Sequence, residues 1–77
     1  MTRQDAIEIL RSELRIRGVT LIKYGMCSFD FRLSPGPGLN DVSAFVILNG
    51  VREMHRAFQN IVGVITADDL LETPRDF

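Results

Sequence analysis

A chain of 77 residues with a net charge of −1, one cysteine and one histidine reads as a single domain without an internal disulfide. It has too few cysteine and histidine ligands for a closed zinc site. Its isoelectric point of about 5.7 lacks the basic excess of a dedicated nucleic-acid module.

The first predicted element is a helix over residues 3–17. Thr2 and Asp5 form a Thr-x-x-Asp start, in which each side chain can satisfy a free N–H of the first turn. Ala6, Ile7, Leu10 and Leu14 then fall on one face, with Ile9 and Ile16 at its margin. Gln4, Glu8, Arg11 and Arg15 take the opposite face. Glu13 and Arg17 stand i,i+4 in the favourable order, and Gly18 is placed to end the helix.

A hairpin is predicted next. Residues 19–24 are β-branched and aromatic, and residues 26–33 alternate cleanly. Cys27, Phe29, Phe31 and Leu33 share one face, and Ser28, Asp30 and Arg32 share the other. A period of two marks a strand with one face on the core and one towards water. Gly25 marks the connection. Residues 34–41, with Ser34-Pro35-Gly36-Pro37-Gly38 at their head, can extend neither ladder nor helix and read as an exposed loop.

Residues 42–64 join a near-continuous apolar run to apolar groups at helical spacing. A type I′ hairpin turn at Asn49-Gly50 fails because Val51, Met54, Phe58, Ile61 and Val62 are spaced for a helix, which leaves two competing readings. In the first, residues 43–48 form a third strand, Asn49 caps a helix, and that helix runs from Gly50 to about Val62. In the second, one long helix starts near Asn40 or Asp41, with Ala44, Ile47, Leu48, Val51, Met54, Phe58 and Val62 in a stripe. A glycine inside a helix costs about 1 kcal/mol relative to alanine. Phe45 and Val46 would also fall off the stripe, so the strand–cap–helix reading is favoured. If the long helix holds instead, Phe45 and Val46 must find a partner outside the chain.

A last helical turn starts at Thr66-Ala67-Asp68-Asp69, with acidic residues where the dipole favours them and Leu70 and Leu71 as the buried side. Residues 75–77 read as a tail in which Phe77 could dock. The predicted fold is a small α+β domain in the order α-β-β-(β)-α plus a short C-terminal helix. An antiparallel sheet of two or three strands packs against two main helices.

Few constellations point to chemistry. His55 is expected at the edge of the helical stripe, making one hydrogen bond. Cys27 is expected as a small buried hydrophobe, since a nucleophilic cysteine needs an electropositive, accessible setting. Asp68 and Asp69 make a small acidic cluster with Glu72; capping explains the first two, and three carboxylates on one turn rarely suffice for a cation. No catalytic, cofactor-binding or metal site is expected. Of nine basic residues, eight are arginine and one is Lys23. Arginine suits bidentate contacts to carboxylate and phosphate. Arg11 with Arg15, and Arg52 with Arg56, stand i,i+4, so each pair should face solvent or an acidic partner. Together the four could form one patch.

The stretch from Ile61 to Leu71 resembles the closing strand and helix of a cystathionine-β-synthase-type module. That resemblance implies a Gly63, Thr66, Asp69 approach to an adenosine nucleotide; the alternating strand and the Pro-Gly loop depart from it. The order helix–strand–strand–strand–helix is similar to a double-stranded-RNA-binding domain, whose last helix opens with lysines that meet phosphates. Here Arg52 and Arg56 match in part, and Glu53 departs.

The N-terminal segment does not resemble a signal peptide, and the longest apolar run, Ala44 to Leu48, is far below the ~20 residues of a membrane span. A cytoplasmic protein is expected. With 45% hydrophobic residues and no staple, a homo-oligomer is also expected. The functional expectation is a non-enzymatic protein-interaction module, such as a small adaptor, regulator or inhibitor of a larger machine. Accessory proteins of phages and mobile elements, including anti-defence inhibitors, would suit this size. The alternative is a nucleic-acid-binding regulator using Arg11, Arg15, Arg52 and Arg56. Phe45 joins these four as a candidate partner-binding residue.

Overall fold

In the computed structural model, which describes residues 1–26 and 28–71, the order is α1 (Arg3–Arg17), β1 (Thr20–Lys23), β2 (Phe29–Arg32), α2 (Asp41–Val62) and α3 (Ala67–Leu70). Cys27, and the stretch 72–77 that holds Glu72 and Phe77, lie outside the described residues, and so do the expectations made for them.

The first helix has the predicted bounds because its signals are local. Asp5 N–H donates to Thr2 Oγ1 at 3.1 Å, and Thr2 N–H donates back to Asp5 Oδ2 at 3.2 Å. At the other end Gly18 takes φ of 68°, a left-handed conformation costly for a side chain with a Cβ. The turn it makes lets Val19 N–H reach Leu14 O at 2.9 Å. Ala6, Ile7, Leu10 and Leu14 are buried as the spacing predicts, while Ile9 and Ile16 stay exposed.

The hairpin pairs Thr20 with Arg32, Leu21 with Phe31, Ile22 with Asp30 and Lys23 with Phe29. Tyr24 N–H closes the end of the ladder on Ser28 O at 2.8 Å. Phe31 is buried, and Phe29 and Leu33 pack partly buried against the same core, so the alternating face points inward as expected. The strands are shorter than the alternation suggested, four residues each.

The favoured reading of residues 43–48 as a third strand is overturned. They lie inside α2, a helix about 33 Å long at 1.5 Å per residue. Asn40, not Asn49, is the cap: its Oδ1 accepts from Ser43 N–H at 2.8 Å. Continuity wins on magnitude. Gly50 costs about 1 kcal/mol, whereas one unbroken stripe buries Ala44 and Val51 and packs Ile47, Leu48, Met54, Phe58 and Val62 partly against the core. Full burial of one such side chain yields about 1.5–3 kcal/mol. Among the described residues the sheet is therefore a two-stranded hairpin, without the three-stranded order shared with double-stranded-RNA-binding domains.

Gly63, at φ of 92°, ends α2 and turns the chain into an extended connector. The strand expected near residues 61–65 by resemblance to the nucleotide module does not form: α2 runs through Val62, and residues 63–66 carry no ladder. Thr66 and Asp69 then form a second capping box that opens α3. α1 packs on α2 and α3, and α2 packs on β2. Leu10, Val51, Phe31, Ile65 and Leu70 meet in one core cluster.

Candidate interaction surface

Arg52 and Arg11 are both bound within the fold. Arg52 sits one turn after Asn49 on α2 and faces the hairpin. Its Nε donates to Asp30 Oδ1 at 3.0 Å and its Nη2 to Asp30 Oδ2 at 3.1 Å, a bidentate pair. The Nη1 of the same side chain reaches Asn49 Oδ1 at 3.4 Å. Both partners keep over a third of their side-chain surface in solvent, so the pair contributes at most about 1 kcal/mol. Its larger role is to fix where the hairpin sits along α2. The acidic partner expected for this arginine thus comes from its own chain.

Arg11 does not point away from the fold either. Its Nε donates to Asp69 O on α3 at 2.9 Å. Arg15 lies exposed nearby, and both line a depression with Leu21 and Leu70. Arg52 and Arg56 line another, with Asp30 and His55. The structure therefore divides the four cations between two depressions.

His55 makes the single hydrogen bond expected of it. Its Nε2 lies 2.9 Å from Ile65 O and must donate, because a carbonyl oxygen can only accept. The ring also stands edge-on to Phe29 and Phe31, with centroids 5.4 and 5.6 Å away. Gln59 Oε1 accepts from Ile65 N–H at 3.0 Å, so both backbone groups of this buried residue are satisfied from α2.

Asp69 carries the longest-range polar contacts. Its Oδ2 accepts from Thr66 N–H and from Thr66 Oγ1, and also from Arg3 Nη2 at 2.6 Å. Arg3 Nη2 also donates to Val64 O at 3.2 Å. Thr66 and Asp69, the residues that the nucleotide-module resemblance would aim at a ligand, are thus engaged in capping and in tethering α3 to α1. Sequence reading found the caps but not the tether. No local spacing signals a contact between residues 66 apart.

Among the described residues, three carboxyls are held below their ordinary value of 3.8. For Asp30 the main cause is hydrogen bonding from Arg52; for Asp5 it is the backbone N–H of Thr2. For Asp69 burial pulls upward, but the Thr66 bonds and the Arg3 charge together outweigh it. Carboxyls with depressed folded values stabilise the fold fully above their unfolded value, and that contribution is lost as pH falls through the folded value. Unfolding free energy should therefore stay flat between about pH 7 and 5 and decline below about pH 4. Urea melts at pH 7, 5 and 3 test this, and an unchanged midpoint at pH 3 would contradict it.

The feature that stands apart is the outer face of α2. Val42, Phe45 and Val46 are 71%, 60% and 63% exposed. Val42 and Val46 lie opposite the buried Ala44 and Val51, and Phe45 lies on the flank between, all within the first three turns. Asp41, Glu53 and Arg56 are exposed around them. A separate groove of about 310 Å³ runs between the hairpin turn and the α2–α3 connector. It is bordered by Met26 and Val64 and crossed by the Lys23–Asp68 ion pair at 3.3 Å. Among the described residues no helix is long and apolar enough to cross a membrane.

No protein-family model, curated protein or solved structure matches this chain.

Proposed function

We propose that this chain is a non-enzymatic protein-interaction module acting in the cytoplasm, which meets its partner through the N-terminal half of α2. One observation carries the reading: the first three turns of α2 are apolar on both sides. Ala44, Ile47, Leu48 and Val51 face the core, while Val42, Phe45 and Val46 face solvent. A surface helix ordinarily shows one apolar stripe and a polar back, and a helix apolar all round is ordinarily enclosed. An adaptor, regulator or inhibitor that seats such a helix against an apolar surface gains affinity from the side chains left exposed here. The nucleic-acid reading would need Arg11, Arg15, Arg52 and Arg56 to act together. The bonds made by Arg11 and Arg52 inside the fold weigh against it.

Site-specific photo-crosslinking in the native host tests the reading. A photoreactive residue at position 46 should give a protein adduct, and one at position 8, on the exposed side of α1, should not. Phe45→Ser should abolish the adduct. It should change unfolding free energy by no more than about 0.5 kcal/mol, as is usual for an exposed position. Equal yields at positions 46 and 8 would place the contact elsewhere.

A further inference from the structure

We infer that the α2 face is covered by a second copy of this chain, whose α2 lies antiparallel to the first about a two-fold axis near residues 48 and 49. The inference rests on the interaction reading above and names its partner.

The argument is charge complementarity of the face with itself. Asp41 and Arg56 are both exposed, and neither makes an ion pair or side-chain hydrogen bond among the described residues. Fifteen residues separate them, which is about 22 Å along a helix and roughly 60° around it. Phe45 falls between them on the same flank. An antiparallel copy that exchanges positions 41 and 56 sets Asp41 beside Arg56 of the second copy, and Arg56 beside its Asp41. Val42, Phe45 and Val46 of both copies lie between these two pairs, and Asn49 lies near the axis. Because Asn49 Oδ1 already accepts from Arg52, its amide N–H groups remain for the second copy. The same register puts Glu53 opposite Ala44 of the other helix, in the first turn, where the helix dipole favours an anion. A parallel pair would instead set Asp41 against Asp41 and Arg56 against Arg56. The antiparallel arrangement pairs Asp41 with Arg56 twice; the parallel one sets like charges together at both ends.

Area sets the strength. The shared span of 16 residues is about 24 Å of helix, with three exposed apolar side chains per copy. That is well short of the ~800 Å² per partner of a stable complex. The dimer is therefore weak and reversible, with a micromolar or weaker Kd.

Sedimentation equilibrium on the full chain is the test. The apparent mass should rise from 8.7 kDa towards twice that value as concentration climbs to millimolar. Asp41→Arg and Arg56→Asp should each weaken association roughly tenfold, because two attractive pairs become repulsive at once. The double exchange Asp41→Arg with Arg56→Asp should restore it. Spin labels at position 57 should lie about 25 Å apart along the axis in the antiparallel pair, against about 10 Å in a parallel one. Circular dichroism of each variant checks that the helices survive.

A double exchange no better than the single ones, or the short label distance, overturns the antiparallel pair. A monomer at the highest concentration overturns the second copy altogether. In that event the photo-crosslink at position 46 separates the two claims: an adduct with a different protein leaves the interaction surface standing, and no adduct removes both.

Discussion

Leu10→Ala should lower unfolding free energy by about 2–5 kcal/mol, the range for truncating a leucine in a filled core. Leu10 has no solvent exposure and packs in the cluster shared with Val51, Phe31 and Ile65. The loss comes from the transfer energy of the missing methyl groups and from the hole that α1, α2 and the hairpin cannot close together. A 77-residue domain has roughly 4–12 kcal/mol in total, so this single change could consume most of it. For so small a domain each kcal/mol is worth about 4–8 °C in Tm, and a fall of about 10 °C or more is expected. Ile16→Ala, 76% exposed on the same helix, should stay within about 0.5 kcal/mol. If urea melts gave both variants the same midpoint, α1 would not pack as described.

His55→Ala should cost about 2–4 kcal/mol, more than an intermediate-exposure histidine usually would. Two losses add. Ile65 O sits on a residue only 1% exposed, and removing its donor leaves a buried carbonyl without a partner, at about 1–3 kcal/mol. The edge-on contacts with Phe29 and Phe31 go as well, at about 0.5–1.5 kcal/mol for an aromatic pair. His55→Gln restores a donor but not the ring, so it should fall between wild type and His55→Ala. Denaturation followed by circular dichroism separates the three. A cost below about 1 kcal/mol for His55→Ala would mean that the connector after α2 holds its place without this side chain.

The parts of the fold that were legible in the sequence are those whose signals are local. The capping boxes at Thr2 and Thr66, the left-handed turn at Gly18 and the i,i+4 pair Glu13–Arg17 (2.6 Å) each depend on residues within a turn or two. The alternation from Phe29 to Leu33 set the buried face of the hairpin, since a period of two leaves no other choice. Residues 43–48 misled because their β-branched and aromatic character fits a strand equally well, and such preferences yield to tertiary packing. What decided the matter was the stripe from Ala44 to Val62, whose value depends on α1 and the hairpin being there to receive it. The arginines show the same limit. Spacing put Arg52 and Arg56 on neighbouring turns, but only the placement of β2 brought Asp30 to Arg52. Phe45 was legible in a conditional sense: on a long helix it had to be left outside, and it is.

The tether between Arg3 and Asp69 bears on the order of events in folding. Its partners are 66 residues apart in the chain, so the loop it closes encloses nearly everything else. Helical turns and the hairpin order short stretches first, because closing a long loop costs more entropy than a short one. The tether, with α3 attached, should therefore join after the rate-limiting step, once α1 and α2 have met. An interaction absent from the transition state acts on one direction only. In stopped-flow measurements Arg3→Ala should speed unfolding while the folding limb stays nearly in place. If folding slowed in proportion instead, this clasp between the first and last helices would be among the earliest contacts made.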